Sequence, residues 1–166
     1  MATLITGGTG FVGAQIVRLL LEKGETDLTV FDIRSHTQTL DDVGDRVAFI
    51  EGDLGNCDHV MTAVKKTRPD VIYHLGGMLS LPSEADPAAS LYANAVGTFH
   101  VLEAARVYDV PQMMFSSTVA TYGIDIIGDE INDDTLQRPL LFYGATKVFA
   151  EHMGLFFKKK YGLDFR

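Results

Sequence analysis

Thr6-Gly7-Gly8-Thr9-Gly10-Phe11-Val12-Gly13 decides how this chain is read. It follows the apolar run 2–5 and opens the helical pattern 11–23. Two spacings fit a pyrophosphate-binding turn, Gly8-x-Gly10-x-x-Gly13 and Gly7-x-x-Gly10-x-x-Gly13. In either, one glycine makes the tight turn, one lets the backbone approach a phosphate, and one lets the helix pack close to the strand. The helix N-terminus then presents free N–H groups and partial positive charge to the anion. The next apolar run, 28–31, closes on Asp32, 19 positions after Gly13 and near the distance expected of a ribose ligand. Strand before, helix after and acid beyond together point to a dinucleotide site.

The rest of the composition narrows the class. A chain of 166 residues reads as one domain, 1–166, with a sizeable core. Its 46 % apolar and 22 % charged content is ordinary for a globular protein. A net charge of −8 argues against sequence-independent nucleic-acid binding, which needs a basic footprint. The single cysteine, Cys57, forms no intrachain disulfide and suits a reducing, cytoplasmic setting. No Cys/His cluster has metal-site spacing, so no metal is expected. The first residues lack the basic and apolar regions of a secretory signal, and no apolar run reaches membrane-span length.

Strands and helices alternate, which argues for a parallel sheet covered on both faces. Strands are expected at 2–6, 28–32, 47–51, 71–75 and 112–115, with a sixth beginning at 163. In helix 11–23, Phe11, Val12, Ile16, Leu19, Leu20 and Leu21 are expected to form the apolar face, with Gly24 as its stop. Residues 34–45 read as a polar loop with room for one helical turn. A helix over 57–67 ends before Arg68-Pro69. Gly76-Gly77 lets the backbone come close to something. Asp86-Pro87 reads as an N-cap and first helical residue of a long helix to 107 or 108. The irregular stretch 119–141 is long enough to suggest a functional loop. A helix over 143–161 carries Lys158, Lys159 and Lys160 in its last turn, where they suit the helix dipole, and Gly162 ends it.

Three side chains carry the chemistry. Tyr143 and Lys147 lie at i and i+4 on one helix and share a face. An ammonium beside a phenol favours the phenolate, and such a tyrosine exchanges a proton with a substrate hydroxyl near neutral pH. Thr118 lies just past the carboxyl end of strand five, where open α/β sheets bind ligands, and its hydroxyl is placed to hold a substrate oxygen. Ser116, Ser117 and Thr118 equally suit a plain polar turn. His74 reads as a packed, hydrogen-bonded histidine.

The set Thr6-Gly7-x-x-Gly10-x-x-Gly13, Asp32, Gly52-Asp53-Leu54, His74-Leu75-Gly76-Gly77, Asn94-x-x-Gly97-Thr98, Phe115-Ser116-Ser117-Thr118 and Tyr143-x-x-x-Lys147 resembles the extended short-chain dehydrogenases, the NAD-dependent epimerase/dehydratase group. The resemblance covers essentially the whole chain. It implies a Rossmann-type doubly wound sheet in the order 3-2-1-4-5-6. It also implies that Gly7, Gly10, Phe11, Val12 and Gly13 line a pyrophosphate and that Asp32 takes the adenosine ribose hydroxyls. An acid there favours NAD over NADP, although Arg34 is placed to meet a cofactor phosphate. Asp53 and Leu54 would flank the adenine, or Asp53 would cap a turn. Leu75 and Gly76 would pass beneath the cofactor. Tyr143 would be the general acid/base, Lys147 would bind the nicotinamide ribose, and Thr118 would orient a small-molecule hydroxyl substrate. Asn94 has a structural place in that family.

Residues 134–139, 143–151 and 161–166 are also similar to the short-chain type of L-threonine 3-dehydrogenase, which uses a serine matching Ser80 on its substrate. The opening Gly-Gly-Thr-Gly-Phe-Val-Gly is more typical of nucleotide-sugar epimerases. Both families continue past strand six into a substrate-binding part absent here, so dehydrogenase, epimerase or dehydratase, and non-turnover NAD-binding module all stay open. The resemblance further implies a homodimer through the helices 87–107 and 143–161, whose extra apolar residues include Leu91, Phe99, Phe149 and Phe156.

Overall fold

The computed structural model describes residues 1–34, 38–123 and 130–166. Among them, six parallel strands form one sheet in the order β3-β2-β1-β4-β5-β6. They are β1 (Thr3–Thr6), β2 (Leu28–Asp32), β3 (Ala48–Glu51), β4 (Val71–His74), β5 (Gln112–Phe115) and β6 (Asp164–Phe165). Thr6 is level with Phe31 on one side and with His74 on the other, and His74 is level with Phe115. The chain therefore leaves β1, β4 and β5 along a single edge, with the end of β2 beside it.

Alternation along the strands assigns the two faces. Leu4, Phe31, Ile72 and Met113 pack with α2 (Cys57–Thr67), α5 (Gly97–Val107) and α6 (Phe142–Tyr161). Their neighbours Ile5 and Val30 point the other way, onto α1 (Phe11–Glu22). Each such fully buried side chain contributes about 1.5–3 kcal/mol relative to exposure.

Local signals set the helix ends. Asn56 caps α2, its side-chain oxygen accepting from the N–H groups of Asp58 and His59. Asp86 caps α4 (Pro87–Ser90) through the N–H of Ala89, with Pro87 in the first turn as the sequence leads one to expect. Gly162 closes α6 in the left-handed region, at φ 78°.

Four expectations change. In α1 the buried residues are Gly13, Ala14, Val17, Leu20 and Leu21, while Phe11, Val12 and Leu19 are exposed. The helix begins at the sheet's edge, so its first turn overhangs the core. The helix expected from Pro87 is continuous but not uniform, because a π-helical segment, Leu91–Val96, separates α4 from α5. A short helix, α3 (Ser80–Ala85), precedes it unannounced. The polar loop expected at 34–45 holds two 3-10 turns, Gln38–Leu40 and Gly44–Arg46; residues 35–37 of it, like 124–129 of the irregular stretch, lie outside the described residues.

Candidate functional site

The glycine turn is built by close approach. Gly7 has φ 68°, and a Cβ there would stand 2.6 Å from the backbone of Gly76, so the exits of β1 and β4 touch. A Cβ on Gly13 would stand 2.3 Å from the carbonyl oxygen of Gly7, which is why the first turn of α1 lies directly on the loop. Gly10 is the N-cap of α1, with no side chain to cap the helix; the first backbone bond returning to it comes from Ala14. The N–H groups of the first turn thus face outward beside Phe11, which is 82 % exposed. An anion such as a pyrophosphate suits that end by charge and by space.

Asp32 ends β2 half-buried. Its Oδ2 accepts from both the N–H of Thr9, at 3.1 Å, and the Thr9 hydroxyl, at 2.7 Å. Oδ1 accepts from the N–H of Ile33. Thr39 donates to the Thr9 carbonyl, and Arg18 binds both Thr39 O and Asp42, so the segment after β2 is strapped to α1. The acid is fixed at the rim of the glycine turn and keeps lone pairs for a ribose hydroxyl.

On the other side of the turn, Leu54 is buried beneath Gly76 and Gly97, where added Cβ atoms would meet it at 2.7 and 2.8 Å. The Asp53 carboxylate accepts from the N–H of Gly55 and so caps that turn.

His74 lies wholly buried at the end of β4, and its hydrogen bonds have one consistent direction. Thr98 gives its proton to Asn94 O, so it accepts from His74 Nε2 at 2.9 Å. Nδ1 is then the acceptor, taking the Thr6 proton at 2.6 Å, and Thr6 Oγ1 in turn accepts from the N–H of Gly76. Burial, reinforced by the nearby Lys147 charge, pulls the His74 pKa down to about 3. It is a neutral, structural histidine, as its position in the sequence implies.

Asn94, in the π segment, holds the next loop. Its Oδ1 accepts from Met78 N, and its amide nitrogen faces Met78 O, Ser90 Oγ and Thr146 Oγ1. Thr146 donates to Tyr143 O. The loop after β4 is thereby fastened to the first turns of α6. Ser80 opens α3 half-buried beyond that loop, and Glu84 of α3 accepts from the backbone N–H of Tyr143.

Thr118 follows β5. Its hydroxyl oxygen accepts from Ala120 N and caps the 3-10 turn Val119–Thr121. That turn meets α6 closely: a Cβ on Gly144 would stand 2.1 Å from Ala120 O. Thr118 and Tyr143 are thus carried by segments in backbone contact. Lys147, one turn further along α6, is 6 % exposed. Its ammonium lies 4.3 Å from the centre of the Phe115 ring, and among the described residues it has no hydrogen-bond or ion-pair partner. Burial lowers its pKa to about 8, against an opposing pull from Glu151. A buried ammonium with only an aromatic face for company suits a ligand that brings hydroxyl oxygens.

The sequence reading named the glycine turn, Asp32, Leu54, Gly76, Thr118, Tyr143 and Lys147, and the fold gathers their carriers at one edge. It did not single out Thr9, Glu84, Thr146 or Glu151. Only Glu151, four residues beyond Lys147, carried a signal, since that spacing puts it on the same helix face. Among the described residues no cluster of His, Cys, Asp or Glu suits a metal ion, and no helix is long and apolar enough to cross a membrane.

Comparison with known proteins agrees in sequence and in structure. The model of the NAD dependent epimerase/dehydratase family matches residues 3–166. A UDP-glucose 4-epimerase of Streptococcus mutans is 34 % identical over 172 residues, covering 99 % of this chain and 50 % of the relative. The mitochondrial L-threonine 3-dehydrogenase of Sus scrofa is 30 % identical over 164 residues, covering 98 % of this chain and 43 % of the relative. The crystal structure of UDP-glucose 4-epimerase from Brucella ovis in complex with NAD superimposes with a TM-score of 0.88 at 30 % identity, over 99 % of this chain and 50 % of that one. The chain spans about half the length of the curated relatives it matches.

Proposed function

The chain belongs to the NAD dependent epimerase/dehydratase family, and on that premise we propose that it forms the NAD-binding core of an oxidoreductase acting on a small carbinol substrate in the manner of L-threonine dehydrogenase. The observation that carries this reading is the buried, unpartnered Lys147 ammonium one helical turn from Tyr143 and over the ring of Phe115 at the end of β5. Gly7, Gly10, Phe11, Val12 and Gly13 line the pyrophosphate, Asp32 binds the adenosine ribose, Asp53 and Leu54 flank the adenine, and Leu75 and Gly76 pass beneath the cofactor. Bound NAD supplies the hydride acceptor.

The chain's own residues manage the proton. Tyr143 takes it from the substrate hydroxyl as general base when the carbinol is oxidised, and supplies one as general acid only when a carbonyl is reduced. Lys147 stabilises the phenolate and holds ribose hydroxyls. Thr118, its oxygen already accepting from Ala120 N, still has a proton to donate to the substrate oxygen. Ser80 meets the rest of the substrate. The exposed apolar faces of the helices, including Phe149 and Phe156, are assigned to a homodimer contact, and the setting to the cytoplasm.

Two other outcomes have support. The 34 % identity to a UDP-glucose 4-epimerase favours a nucleotide-sugar epimerase or dehydratase. The family match is equally met by an NAD-binding module without turnover. Protein with NAD is given L-threonine, then UDP-sugars. Net NADH absorbance with threonine supports the dehydrogenase, sugar interconversion without net NADH supports the epimerase, and saturable NAD binding without turnover supports the module.

A further inference from the structure

Glu151 lies on α6 one turn beyond Lys147, half-buried, and both its carboxylate oxygens are engaged. Oε1 accepts from the hydroxyl of Ser117, the residue that precedes Thr118 at the exit of β5. Oε2 accepts from Gln137 Nε2 at 2.8 Å, on the segment that leads into α6. One carboxylate therefore ties the strand exit and the incoming segment to the helix that carries Tyr143 and Lys147. We propose that Glu151 is a positioning residue for this site: its carboxylate clamps Ser117, and with it Thr118, onto α6.

The proposal rests on the reading of Thr118, Tyr143 and Lys147 given above, but the clamp concerns atoms present in the chain itself. The geometry carries the clamp. Ser117 is joined to Glu151 while Ala120 lies against Gly144, so the short turn between them is held to α6 at both ends. Gln137, on the incoming segment, is tied to the other oxygen of the same carboxylate, so Glu151 joins three segments at one point.

Three variants test the clamp. Glu151→Ala removes the carboxylate, Ser117→Ala removes the hydroxyl that binds it, and Glu151→Gln keeps size and an acceptor for Ser117. Circular dichroism first establishes that all three fold. In the chain without ligand, hydrogen exchange is expected to accelerate at residues 117–121 in Glu151→Ala and Ser117→Ala and to return toward wild type in Glu151→Gln. Unchanged exchange in Glu151→Ala or in Ser117→Ala overturns the proposal. If instead Tyr143→Phe retains full turnover, the catalytic reading fails while exchange at 117–121 still answers to Glu151.

Discussion

Thr6 on β1 and His74 on β4 are level in the sheet and share a 2.6 Å hydrogen bond whose direction is set by the far side of the imidazole ring, where Thr98 has already spent its proton on Asn94. The bond fixes the neutral Nε2–H tautomer and leaves Thr6 to hold the N–H of Gly76, whose backbone abuts Gly7 of the glycine turn. A cation at that ring would face the Thr98 oxygen well enough but would strip Thr6 of its acceptor.

Folding stability should therefore fall in acid. The folded-state pKa of about 3 lies below the ordinary 6.5, so below pH 6.5 the unfolded chain binds a proton that the native chain does not. The contribution is fully present above 6.5 and is lost as the pH falls toward 3, at up to ~1.4 kcal/mol per pH unit from this one group. Urea unfolding measured across that window checks it. His74→Gln should flatten the slope while lowering stability at pH 7, and a slope equal to wild type would remove His74 as its source.

Turnover should carry an alkaline limb. Lys147 works as a cation, and burial lowers its pKa from 10.5 to about 8, so kcat/KM is expected to decline as pH rises through about 8. Lys147→Arg keeps the charge to higher pH and should abolish the limb, at a cost of roughly ten-fold or more in kcat because a planar guanidinium does not sit as an ammonium does. Tyr143→Phe should abolish turnover and leave NAD affinity within a few-fold. Activity that survives that substitution would remove Tyr143 as the acid/base.

Much of this was legible in the residues. The alternation of short apolar runs with helices gave a parallel sheet, the family resemblance implied the order that is observed, and the glycine spacing located the turn. What failed depended on contacts between distant segments. Phe11 and Val12 look like core by helical spacing, but their turn overhangs the sheet edge and stays exposed. Helix α3 is six residues with a proline inside it, too short for a periodic signal. The π segment carries Asn94, whose side chain reaches Met78 and Thr146, partners that no local pattern announces.

Cofactor choice should depend on Thr9 as well as on Asp32. The two donors of Thr9 hold Asp32 Oδ2 in place at the rim of the turn. Asp32→Ala removes both the ribose acceptor and the charge that repels a 2′-phosphate, so calorimetry should show NAD binding weaker by about ten-fold and NADP binding improved. Thr9→Val retains the acid but loses the 2.7 Å hydroxyl contact, and a smaller narrowing of the gap, several-fold, is expected. An undiminished preference for NAD in Asp32→Ala would show that the ribose is held elsewhere.

Gly144 offers a test of how Thr118 is placed. It stands one residue after Tyr143, and an added Cβ would lie 2.1 Å from the carbonyl oxygen of Ala120, a backbone atom with no freedom to swing aside. Gly144→Ala must therefore part α6 from the 3-10 turn that Thr118 caps. Overpacking of this kind costs about 1–3 kcal/mol, which a shift in the unfolding midpoint would register. The site should suffer more than the fold. A displacement on the order of 1 Å between proton donor and acceptor lowers rate by about a hundred-fold, so kcat should fall by that order while the affinity for NAD, held mainly by the glycine turn and Asp32, changes little. Should affinity and kcat decline together, the turn after β5 would be serving the cofactor rather than the substrate oxygen.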